Sequence, residues 1–144
     1  MRLWPSLLLA GCLAESHAPP AAPANPAEAA AKHWRIYGHV MSDHPAVTDD
    51  DADALDGREL AIGYAEYESP FHGRCTEAIV AQKQRATGEV AQELNIAKSG
   101  LGVGANVLEF RLTCKEANKP ALVIYVDGGH AISCWAGVCY LLGA

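Results

Sequence analysis

Ile132-Ser133-Cys134-Trp135-Ala136-Gly137-Val138-Cys139-Tyr140-Leu141 is the stretch whose reading decides the fold. Two β-prone runs flank Ala136-Gly137, the length of a two-residue hairpin loop. In that register Trp135 faces Val138 in a hydrogen-bonded pair, and Cys134 faces Cys139 in the next, non-hydrogen-bonded one. Cα atoms in such a pair stand about 4.5 Å apart, within reach of a disulfide. The stretch therefore predicts a hairpin pinned across its own strands.

Working back towards the N-terminus, Val107-Leu108-Glu109-Phe110-Arg111-Leu112-Thr113-Cys114 alternates with period two. Leu108, Phe110, Leu112 and Cys114 share one face; Glu109, Arg111 and Thr113 share the other, the pattern of a half-buried strand. Lys115 to Pro120 is a polar connection, Ala121 to Val126 a second strand, and Asp127-Gly128-Gly129 a turn. With the hairpin these make a four-stranded antiparallel meander. Earlier strands are expected at Leu60–Ala65, at Trp34–Val40 and at Cys75–Ala81.

Two short helices are expected. One has Thr48-Asp49-Asp50-Asp51 as its capping box and stops near Gly57. The other runs from Gly88 to Lys98 with Val90, Leu94 and Ala97 on one stripe. The fold class is thus mainly β (α+β): a small antiparallel sheet or partial barrel, one or two short helices and two disulfides.

The N-terminus carries an address. Arg2 precedes the compact apolar run Leu3–Ala10, and Leu9-Ala10-Gly11-Cys12 follows. Charge, apolar run and small residues in that order form an export signal. The closing cysteine resembles a bacterial lipobox, which implies cleavage before Cys12 and lipidation of its thiol and new amino terminus. Leu13, standing where an aspartate would retain the protein at the inner membrane, resembles the pattern of outer-membrane lipoproteins. The expected location is the outer membrane, lipid-anchored and facing the periplasm. Residues 1–11 are then the signal and 12–32 a lipidated Ala/Pro-rich tether. Asn25-Pro26-Ala27-Glu28 at its end is shaped to start one or two helical turns. Residues 33–144 form a single domain.

Lipidation of Cys12 leaves Cys75, Cys114, Cys134 and Cys139 of the five cysteines. An even set in an exported small domain reads as a disulfide framework. Cys134–Cys139 follows from the hairpin register, and Cys75–Cys114 by elimination. These cysteines lack zinc-site spacing, and no metal or cofactor is expected.

The formal net charge is −6, from 11 basic and 17 acidic residues. That balance argues against nucleic acid, whose phosphates require a basic face. Asp49-Asp50-Asp51-Ala52-Asp53-Ala54-Leu55-Asp56-Gly57 superficially resembles a calcium loop, but Ala54 and Leu60 stand where an EF-hand needs Gly and Glu. Gly100-Leu101-Gly102-Val103-Gly104 lacks a Walker ending. His39, His44, His72 and His130 sit on separate segments, and no nucleophile–base signature accompanies them. The chain is therefore expected not to be an enzyme. One patch is rich in hot-spot residue types: Tyr64 to Arg74, with Tyr67, Phe71, His72 and Arg74 as candidate partner-binding residues.

The lipobox, the tether and the cysteine-pinned sheet together resemble small β-rich periplasmic lipoproteins. Some of these bind and block cell-wall lytic enzymes. The membrane-bound inhibitors of c-type lysozyme among them carry Ser-Gly-x-x-Tyr; here Ser99-Gly100 is followed by Leu101, Gly102 and Val103, without the Tyr. The resemblance implies a non-enzymatic protein-binding module, of the inhibitor or immunity type, acting on a periplasmic or incoming protein partner. The alternative is a lipocalin-like carrier holding a small apolar ligand inside the sheet.

Overall fold

The computed structural model describes residues 25–144. The signal, Cys12 and most of the tether lie outside the described residues. Nine strands form one antiparallel sheet: β1 (Lys32–Met41), β2 (Glu59–Gly63), β3 (Glu66–Ser69), β4 (Gly73–Cys75), β5 (Ala78–Ala86), β6 (Asn106–Cys114), β7 (Leu122–Asp127), β8 (His130–Trp135) and β9 (Val138–Gly143). Their spatial order is β4-β3-β2-β1-β9-β8-β7-β6-β5, so the sheet curls until it is nearly closed. Three short helices accompany it: α1 (Pro26–Ala30), α2 (Asp49–Asp53) and α3 (Thr87–Glu93).

The meander is as expected, with β6, β7, β8 and β9 adjacent in chain order. Cys134 pairs with Cys139 and Trp135 with Val138. Ala136 and Gly137 take φ values of 54° and 77°, the doubly left-handed geometry of a twisted hairpin turn. Both disulfides are present, Cys134–Cys139 and Cys75–Cys114. The second spans the seam: β4 ends at Cys75, β6 ends at Cys114, and only the edge strand β5 lies between Cys114 and the opening. The Ala78 amide reinforces the closure by donating to the Ala65 carbonyl at 2.8 Å.

Alternation places two apolar sets on opposite faces. Trp34, Ile36, Leu60, Ile62, Phe110, Leu112, Leu122, Ile124 and Leu142 are all buried and fill the inside of the curled sheet. Val107, Tyr125, Ile132 and Cys139 point outwards, where Val90 and Ala91 of α3 and Leu101 of the following segment cover them. That outer layer is held by charge as well as by packing. Arg85 on β5 donates to Glu109 on β6 at 3.0 Å and to Glu93 on α3 at 2.5 Å.

Several expectations are corrected. The segment expected as one strand over Cys75–Ala81 is divided between the end of β4 and the longer β5. The remainder of β5, from Gln82 to Ala86, escaped recognition because an edge strand with exposed faces has no apolar alternation to show. The hairpin of β2 and β3 turns on Tyr64-Ala65, with Ala65 at φ 51°, and neither residue is a turn former by type. Helix α3 ends at Glu93, not Lys98, because Asn95 takes the left-handed conformation (φ 54°) that closes a helix. Finally, residues 25–32 join the domain: Asn25 caps α1, Ala30 is buried in the core and Lys32 opens β1.

Candidate functional site

Three loops meet at the end of the sheet where β1 finishes and β9 begins. The segment 42–48 packs on the β8–β9 turn, with the Ser42 amide donating to Gly137 O and the Ala46 amide to Ala136 O, both at 2.8 Å. The β3–β4 loop (residues 70–72) folds across from the other side. Its Phe71 ring stacks on Tyr140, centroids 5.0 Å apart, and the His72 ring stands edge-on to Trp135 at 4.4 Å. Thus the loop seals the mouth with one ring and borders Trp135 with the next. Trp135 itself is 41% exposed. Beside it, Leu94, Ile96, Gly137 and Val138 line an apolar notch of about 150 Å³.

The four candidate residues are therefore not presented as one stiff loop. Tyr67 alternates inwards on β3, is 2% exposed and donates its hydroxyl to Pro120 O at 3.5 Å, so it is a core residue. Burial raises its pKa, with a smaller push from Glu116. Phe71 is half-buried against Tyr140. Arg74 is exposed, and its carbonyl accepts from the Lys119 ammonium, which latches the β6–β7 loop to β4. His72 alone borders an exposed aromatic. Burial pushes its pKa down, partly offset by the neighbouring Phe71 backbone carbonyl, and its Nδ1 is buried without a hydrogen-bond partner.

Helix α2 adds charge to the same end. Thr48 caps it in a full capping box: its hydroxyl accepts from the Asp51 amide at 3.1 Å, and the Asp51 carboxylate accepts from the Thr48 amide at 3.3 Å. Ala52 is fully buried against the core, so Asp49, Asp50 and Asp53 are turned outwards and exposed. Trp135 was passed over in the sequence because its place in the hairpin register explained it as a strand residue. Its partial exposure follows from its place as the last residue of β8, with only the edge of the His72 ring against it.

No family model matches this chain. Neither does any curated protein or solved structure.

Proposed function

We propose that the domain is a non-enzymatic protein-binding module, held at the outer membrane through Cys12, whose contact face is the rim around Trp135 and His72. The observation that carries this reading is the contrast between the two sides of the sheet. The inside is filled by Trp34, Ile36, Leu60, Phe110, Ile124 and Leu142, all nearly inaccessible, while a tryptophan stands in the open at the rim. A filled interior favours a surface binder over the carrier of a small apolar ligand, which needs an enclosed cavity. Exposed tryptophan bordered by an apolar notch is the composition of a binding hot spot. The acidic outer face of α2 beside it suits a basic partner, steering its approach and setting its orientation. Basic cell-wall lytic enzymes meet that requirement, which makes an inhibitor or immunity-type role the specific form of the proposal.

The test is direct binding and inhibition against a panel of basic muramidases, including c-type lysozyme, with the oxidised protein. A partner bound at one to one is expected, its affinity falling at least tenfold in Trp135→Ala, the loss typical of a hot spot. Binding that is indifferent to both Trp135→Ala and the removal of α2 charges would overturn the assignment of the rim.

A further inference from the structure

We propose that His39, Asp53 and Asp56 form a binding site for one divalent transition-metal ion, zinc or manganese by their chemistry, with Asp49 orienting the histidine. His39 lies on β1, and its side chain is only 9% exposed. Its Nε2 stands 2.6 Å from Asp49 Oδ1, a contact that holds the ring in place. The other nitrogen, Nδ1, faces Asp53, whose Oδ1 lies 3.6 Å away. That separation is too long for a hydrogen bond. It suits two ligands of one ion, which stand about 3.4 Å apart around a tetrahedral centre with bonds of about 2.1 Å. Asp56 completes the set: one ligand atom from each of His39, Asp53 and Asp56 falls within 4.8 Å of the others.

Carboxylates gathered around a nearly buried imidazole nitrogen favour a positive charge between them. A divalent ion answers both partners at once. The Asp49–His39 contact then has a recognised purpose, since a metal-bound histidine commonly gives its second N–H to a carboxylate that fixes its tautomer and strengthens it as a ligand. One imidazole and two carboxylates are borderline-to-hard donors, which suit zinc or manganese better than copper(I). The exposed carboxylates leave the remaining coordination positions to water or to a partner's side chain.

The amino-acid sequence hides this set because the acidic run lacks calcium-loop spacing and its histidine lies on a strand before the helix. Tertiary packing of α2 against β1 brings them together. Asp49 and Asp53 also belong to the acidic face of α2, but the metal test needs no partner.

Zinc and manganese binding to the untagged full chain, in a Cys12→Ala background, would be followed by titration calorimetry, with calcium and magnesium as comparators. One equivalent of zinc or manganese is expected, with a raised Tm. Asp49→Ala should weaken binding about 10–100-fold, the usual loss for such a supporting partner. Asp53→Asn and Asp56→Asn, both at exposed positions, should weaken it further while leaving the circular dichroism unchanged. The nitrogen-15 signal of His39 Nδ1 should shift on loading while Nε2 keeps its proton. Two results would overturn the proposal. The first is no binding up to millimolar metal, with Nδ1 protonated instead. The second is an equal response to all four ions that survives Asp53→Asn, which marks diffuse counterion attraction.

Discussion

Cys75 and Cys114, 39 residues apart in sequence and 5.9 Å apart at Cα, tie edge strand β4 to β6 across a seam where no strands pair. Each sits at the end of its strand, Cys75 on β4 and Cys114 on β6, beside the edge strand β5. The bridge therefore holds the sheet nearly closed.

Replacing both Cys75 and Cys114 with Ala should cost about 4 kcal/mol, the chain-entropy estimate for a loop of this length. The same change at Cys134 and Cys139, which close a much shorter loop, should cost about 2 kcal/mol. Urea unfolding of the two double variants checks the order, and equal losses would contradict the seam role of the first bridge.

Gly137 tolerates no side chain. A Cβ there would lie 2.7 Å from Pro45 Cα and 2.8 Å from His44 O, both backbone atoms, and φ is +77°. Gly137→Ala should destabilise by about 1–3 kcal/mol through steric overlap. It should also loosen the 42–48 segment, seen as faster exchange of the Ser42 and Ala46 amides. An unchanged Tm would refute this.

The Glu109 carboxylate is almost inaccessible, and Arg85 is its closest cation, with Lys83 at 3.8 Å. Arg85→Met leaves that charge buried with only a distant partner and should cost about 3–5 kcal/mol. Arg85→Met with Glu109→Leu should recover most of the loss, since exchanging the whole pair for apolar groups is often neutral. Thermal melts of the single and double variants measure the recovery. Glu93 adds a pH signature. Its hydrogen bond to Arg85 holds its carboxyl below the usual value, so its contribution is present above about pH 4.3 and fades as pH falls.

His72 acts at milder pH. Its pKa is lowered in the folded state, so the unfolded chain binds the proton more readily. Its contribution is complete above the unfolded value of about 6.5 and is lost as pH falls below it. Tm measured between pH 8 and pH 5 should decline, and His72→Phe should flatten that decline. A slope unchanged by the substitution would place its origin elsewhere.

The meander was legible because its determinants are local. Alternation in Val107–Cys114 fixed which side faces inwards, and two residues between Trp135 and Val138 fixed the register that pairs Cys134 with Cys139. Thr48 and Asp51 announced the start of α2 in the same way. The second half of β5 was not legible, since Gln82, Lys83 and Gln84 carry no apolar period at an exposed edge. The rim escaped for a different reason: Phe71, His72 and Trp135 come from loops and strand ends that are distant in sequence.

By itself the sequence determined the strand faces, the hairpin register, both disulfides and the caps of α1 and α2. Apart from Cys75–Cys114, which followed by elimination, each depends on side-chain period, turn length or hydrogen bonds spanning a few residues. Only the tertiary structure decided that the sheet curls to near closure, that Tyr67 turns inwards while Trp135 stands open, and that His39 meets Asp49 and Asp53. Those outcomes depend on the sheet's accumulated twist and on which loop covers which strand end. Such terms join residues far apart in the chain, and no short window of sequence contains them.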